Sequence, residues 1–170
     1  FQLSTNIGAI LTVLIAPFVG LPLPFTPIQL LWVNIIMDGP PAMALGVDPA
    51  HPDTMKVSPR KTTDRILKLR LLGKLVVYGA TMMVGTLGIM WWERQNGTVE
   101  HAQSMAFTTF VLFQVFNAFN ARVLKRSIFK SNFFRNRMLW IALFGVVVLQ
   151  ILAVEWAPAQ EIFRVDSLSL

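Results

Sequence analysis

The sequence predicts an all-α fold: a polytopic membrane helix bundle with five transmembrane helices. Three observations lead there. Of the 170 residues, 54% are hydrophobic and only 14% are charged, where a soluble domain carries about a quarter. No charged residue occurs between Phe1 and Met37. Apolar runs of about 20 residues, the length that crosses a bilayer, recur along the chain and alternate with short basic segments. This composition excludes a soluble globular enzyme and a disordered segment. The absence of cysteine excludes a disulfide framework, a thiolate zinc site and a cysteine nucleophile.

The uncharged run at the start is too long for one helix. Gly20, Pro22, Pro24 and Pro27 punctuate it as a turn. A hairpin is therefore predicted, with span one near 1–20 and span two near 26–45. Span three is predicted near 71–92, span four near 103–121 and span five near 138–156. Residues 1–46 then form a transmembrane hairpin carrying the candidate cation-site helix. Residues 47–70 form a cytoplasmic basic loop, and 71–170 supply the remaining helices and loops. The chain opens on Phe1 inside an apolar run with no basic leader, so it is expected to be a piece of a longer polypeptide.

The net charge of +6 reports orientation. Lys56, Arg60, Lys61, Arg65, Lys68, Arg70 and Lys74 lie in or beside the loop after span two. Arg122, Lys125, Arg126, Lys130, Arg135 and Arg137 lie between spans four and five. Only Arg94 and Arg164 fall on the other face. This asymmetry places both basic loops in the cytoplasm and removes the case for nucleic acid. Trp91, Trp92, Trp140 and Trp156 sit at predicted span ends, as interfacial anchors do. The glycines of span three, Gly73, Gly79, Gly85 and Gly88, are expected to permit close helix packing.

Among nine acids only Asp38 falls inside a predicted span. A carboxylate at that depth is costly unless it is protonated, paired or metal-bound, so it is a candidate functional group. A structural hydrogen bond is the alternative. Asn34 lies four residues earlier, which on an α-helix puts both side chains on one face. An amide oxygen and a carboxylate suit Ca2+, Mn2+ or Mg2+. Gly39, Pro40 and Pro41 follow at once and must kink or unwind the helix. Broken helices within a membrane release carbonyl oxygens for cations. Asn6, Gln114 and Asn117 are further intramembrane polar groups; each alone also fits a hydrogen bond between helices. His51 and His101 are far apart and make no metal pair. No phosphate-binding loop or nucleophile motif is present, so the chain hydrolyses no ATP by itself.

The segment Leu-Leu-Trp-Val-Asn-Ile-Ile-Met-Asp-Gly-Pro-Pro-Ala at 30–42, then Ala44-Leu45-Gly46, resembles the sixth membrane helix of P-type cation-transporting ATPases of the calcium-pump branch. Its Met-Asp-Gly-Pro-Pro form is most similar to the secretory-pathway calcium/manganese pumps and their bacterial relatives. Phe-Gln-Leu-Ser-Thr-Asn at 1–6 resembles the start of helix five in that group, and Phe-Asn-Ala-Phe-Asn at 116–120 resembles helix eight. The resemblance implies that the chain runs from helix five to just before helix ten. It further implies that Asn34 and Asp38 bind the transported Ca2+ or Mn2+, together with helix-four groups outside this chain. The positions of a second ion site read Asn6, Ala9, Met37 and Gln114. Three of these lack the required oxygen or charge, so a one-ion type is expected, with Asn6 and Gln114 as weaker candidates lining the path.

The implied partners are membrane lipid and the upstream part of the same polypeptide. That part holds helices one to four and the phosphorylation, nucleotide and actuator domains. ATP and Mg2+ act only through those domains, and the loop from Asp48 to Arg70 would relay their motion. The implied location is a bacterial plasma membrane or a Golgi-type membrane, with several passes. Two other readings stand beside this one: an ATP-independent cation transporter or channel module, and a structural helix bundle.

Overall fold

The computed structural model describes residues 1–48, 69–122 and 136–168. Every regular element among them is helical. Helix α1 spans Gln2–Phe18 and ends at a turn in which Gly20 has φ +73°, a left-handed conformation that glycine adopts without steric cost. Helix α2 (Pro27–Trp32) starts with a capping box. The Thr26 hydroxyl accepts the Gln29 amide, and the Gln29 side chain accepts the Thr26 amide in return. Pro27 sits in the first turn, where its missing N–H costs nothing. A π-helical segment, Val33–Met37, follows and leads through Asp38 into α3 (Gly39–Gly46). Helices α4 (Leu69–Asn96) and α5 (Val99–Arg122) form an antiparallel pair about Gly97, and α6 (Arg137–Glu155) and α7 (Ala157–Phe163) complete the chain.

Helix α5 lies at the centre, against α4, α6, α3 and the π segment. Its Phe107 and Phe110 are fully buried and join Phe25, Val33, Met37, Met82 and Val146 in the main core. Polarity runs opposite to that of a water-soluble bundle. Ser4, Thr5, Thr12, Gln29, Gln114, Asn117 and Gln150 are buried, whereas Phe18, Ile141 and Phe144 are 86%, 72% and 72% exposed. The interior polar groups hold helices together or bond within their own helix. Asn117 donates to the hydroxyls of Ser4 (2.8 Å) and Thr5 (3.4 Å), Gln150 donates to Thr108, and the Thr12 hydroxyl bonds the Gly8 carbonyl.

Two helices, α4 and α6, are long and apolar enough to cross a membrane by length and composition. The other expected spans differ for physical reasons. Helix α1 is a shorter apolar helix of 17 residues. Expected span two is three helical pieces, because the π segment and the prolines interrupt it. Expected span four lies within the 24-residue α5, diluted by Gln103, Gln114, Asn117 and Asn120.

Most of the loop cations that argued for sidedness, Lys56 to Lys68 and Lys125 to Arg135, lie outside the described residues, as does His51. The described ends nevertheless sort into two groups. Arg94 of α4 donates to the Gly20 carbonyl, and Gln103 of α5 donates to the Leu23 carbonyl at 2.7 Å. At the opposite end, Asp48, Arg122 and Asn136 are joined by hydrogen bonds.

Close packing through glycine holds at two of the four positions singled out in span three. A Cβ on Gly79 would lie 2.8 Å from Ile7 Cγ2 and 2.9 Å from the Gly8 nitrogen, so α1 and α4 cross on bare backbone. A Cβ on Gly85 would strike the Phe113 ring, while Gly73 and Gly88 meet nothing within 4 Å among the described residues. Gly79→Ala is therefore expected to destabilise the bundle by about 1–3 kcal/mol. Gly88→Ala should be neutral or stabilising by up to about 1 kcal/mol through helix propensity. Thermal unfolding of the two variants in detergent checks the difference in sign.

Candidate cation site

The site helix is built around one irregularity. The Asp38 amide donates to the Val33 carbonyl at 2.9 Å, a bond one residue longer than in an α-helix. The prolines do not lie in the distorted turn itself. Pro40 and Pro41 occupy the first turn of α3, where a missing donor is tolerated. Their cost falls on the preceding turn, since neither can donate to the carbonyls of Ile36 and Met37. The break is thus set just before Gly39, at Asp38. Gly39 is half-buried, Pro40 exposed and Pro41 buried.

Asp38 is 2% exposed. Gln114 of α5, 1% exposed, donates its Nε2 to Asp38 Oδ1 at 3.3 Å. The other end of that amide, Oε1, is buried with no hydrogen-bond partner among the described residues. An orphaned acceptor costs about 1–3 kcal/mol. Here it lies on the side chain bonded to a buried carboxylate, so two hard oxygen donors come from neighbouring helices. Hard oxygens of this kind suit a divalent cation such as Ca2+ or Mn2+. Among the described residues no three His, Cys, Asp or Glu side chains converge; the available donors are one carboxylate and amide or carbonyl oxygens.

The expectation that Asn34 shares a face with Asp38 needs correction. Asn34 is exposed, and its amide donates to the Leu30 carbonyl at 2.9 Å. The wider π turn between them changes the phase of the helix, so Asp38 enters the interior while Asn34 remains on the surface. Asn6 is likewise exposed on α1, while Met37 is buried. Of the four candidate ligands, the structure brings together Asp38 and Gln114.

Three further polar groups, Gln29, Asn136 and Asp48, position this helix. Gln29 is fully buried and donates its Nε2 to the Phe163 carbonyl at 3.0 Å, tying the start of α2 to the end of α7. Trp32 packs edge-on against Phe163, with ring centroids 4.7 Å apart. Asn136 and Asp48 hold the far end of α3. Signals for two of them were present: Thr-x-x-Gln after a turn is a capping box, and an Asn just before an apolar run is a helix N-cap.

A family profile described as "Cation transporting ATPase, C-terminus" matches residues 22–170. The chain belongs to that family. It is 39% identical over 171 residues to the human calcium-transporting ATPase type 2C member 1, with all of this chain and 19% of the relative covered. It is 40% identical to the rat calcium-transporting ATPase type 2C member 2, covering 99% of this chain and 18% of the relative. It is 38% identical to calcium-transporting ATPase 1 of Yarrowia lipolytica, covering 100% and 18%. The chain therefore spans about a fifth of the length of these relatives and falls in the calcium-pump branch of the P-type ATPases.

The buried pair makes its own prediction. Gln114→Leu removes the donor to Asp38 and should lower stability by about 1–3 kcal/mol. Gln114→Glu sets a second carboxylate against Asp38, and this variant should be destabilised in chelator and regain stability on addition of Ca2+. Melting curves of the full-length polypeptide with and without chelator test both.

Proposed function

We propose that this chain is the carboxy-terminal membrane region of an ATP-driven P-type pump that moves Ca2+, Mn2+ or both. The observation that carries this reading is Asp38, buried where its helix breaks, beside an amide whose oxygen has no partner. In this proposal the chain crosses the membrane five times: α1, the α2–π–α3 passage, α4, α5 and α6. The many exposed apolar side chains support contact with lipid or with further membrane helices.

Asp38 supplies the negative charge that draws the dehydrated cation into the bundle. Gln114 supplies an amide oxygen once its side chain turns over, and the π segment and proline turn leave main-chain oxygens near the ion. Asn34 and Asn6, both exposed here, line the path on the side that the upstream helices would cover. A single ion is carried, since Ala9 and Met37 provide no oxygen ligand from their side chains. ATP and Mg2+ act through upstream phosphorylation, nucleotide and actuator domains of the same polypeptide. Residues 47–70 relay their motion to the hairpin of residues 1–46, and 71–170 form the supporting scaffold. The location is a Golgi-type or bacterial plasma membrane.

The test is Asp38→Asn in the full-length polypeptide. The expected outcome is loss of Ca2+-dependent phosphorylation by ATP and of ion uptake into vesicles, with Mn2+ measured in parallel. Unchanged uptake would overturn the assignment.

A further inference from the structure

Asp48, which the sequence places at the edge of a basic loop, is the hub at one end of the described bundle. It lies two residues beyond α3. Its Oδ2 accepts Arg122 Nε at 3.0 Å, and its Oδ1 accepts Asn136 Nδ2 at 2.9 Å. The same Asn136 nitrogen donates to the Ala44 carbonyl of α3 at 2.8 Å, and Asn136 Oδ1 caps α6 by accepting the Leu139 amide at 2.9 Å. Both carboxylate oxygens of Asp48 and both ends of the Asn136 amide are therefore in use. The Arg122 side chain is only 8% exposed and that of Asp48 26%, so water competes weakly for this ion pair. One carboxylate joins the end of α3, the end of α5 and the start of α6.

The geometry links this lock to the candidate cation site. Helix α3 has eight residues, about 12 Å of helix between the bend at Asp38 and the lock at Asp48. On α5, Gln114 bonds Asp38 and Arg122 bonds Asp48, and these two residues are also about 12 Å apart along their helix. Helices α3 and α5 are thus tied at two levels of matching spacing. A slide of α3 along α5 must break both ties, and the tie at Asp48 fixes the height at which Asp38 meets Gln114. Asp38 gives the first turn of α3 no side-chain cap, so among the described residues the polar ties on α3 are the one to Gln114 and the group around Asp48.

We propose that Asp48 is a positioning residue for cation binding: with Arg122 and Asn136 it sets the register of α3 on α5 and so holds Asp38 beside Gln114. This rests on the pump reading above and adds to it the device that aligns the site.

The experiment uses the full-length polypeptide in membranes, with two readouts against Ca2+ concentration: phosphorylation by ATP and thermal stabilisation. Asp48→Ala should raise half-saturating Ca2+ about tenfold in both while maximal phosphorylation at saturating Ca2+ is retained. Asp48→Asn keeps an acceptor oxygen and should give a smaller shift, about threefold. Asp48→Glu should restore most of the affinity. If Asp48→Ala does not fold, the Asn and Glu variants carry the test. Wild-type affinity in Asp48→Ala, or in Asp48→Asn where only that variant folds, overturns the proposal. So does loss of maximal phosphorylation at unchanged affinity. A wild type stabilised by Ca2+ but never phosphorylated overturns the pump reading alone, and the stabilisation curves still decide on Asp48. A wild type that shows neither effect overturns both.

Discussion

The structure depends on keeping one carboxylate inside an apolar bundle. Asp38 is nearly inaccessible in a stretch with no other acid, and a carboxylate removed from water needs compensating partners. That requirement explains the local sequence. A regular α-helix would satisfy every main-chain oxygen internally and leave the carboxylate to its neighbours alone. The π turn and the paired prolines free main-chain groups beside it, and α5 brings an amide from across the bundle. The same arrangement leaves Gln114 Oε1 unpaired. An orphaned acceptor next to a buried charge costs stability at that point.

A broken helix needs support at both ends, and the fold supplies it with neutral or paired polar groups. One end is held by the Thr26–Gln29 box and by the bond from Gln29 to Phe163, with Trp32 against the Phe163 ring. The other is held by Asp48, Arg122 and Asn136. Between these supports lie the π segment, the bend and Asp38. The hydrogen-bond ladder of the site helix is irregular between these supports. Helix α7 belongs to this frame, because its last residues cover the start of the site helix.

The rest of the bundle follows from burying polar groups within an apolar exterior. Hydrophobic contrast with the surroundings is small for helices that expose Ile141 and Phe144. Close crossing at Gly8 and Gly79 and bonds such as Asn117 to Ser4 do that work instead. The two faces of the molecule are likewise marked by bonds between helix ends: Arg94 and Gln103 hold the Gly20 turn, while the Asp48 lock closes the opposite end.

The sequence by itself determined the helical class, the turn at Gly20 to Pro27, the approximate helices around 71–92, 103–121 and 138–156, and Asp38 as the one acid within an apolar span. Each is local: charge count, apolar run length and the backbone preferences of Gly and Pro act over a few residues. It did not determine the phase of the site helix. Asn34 and Asp38 share a face only if the turn between them is α-helical, and the single extra residue of the π turn separates them. Nor did it reveal the pairing of Asp38 with Gln114, of Gln29 with Phe163 or of Asp48 with Arg122 and Asn136. These partners are 74 to 134 residues apart in the chain, so no local periodicity encodes them. Only the packing of α3 and α5 side by side, and the return of α7 onto α2, brought them within hydrogen-bonding distance.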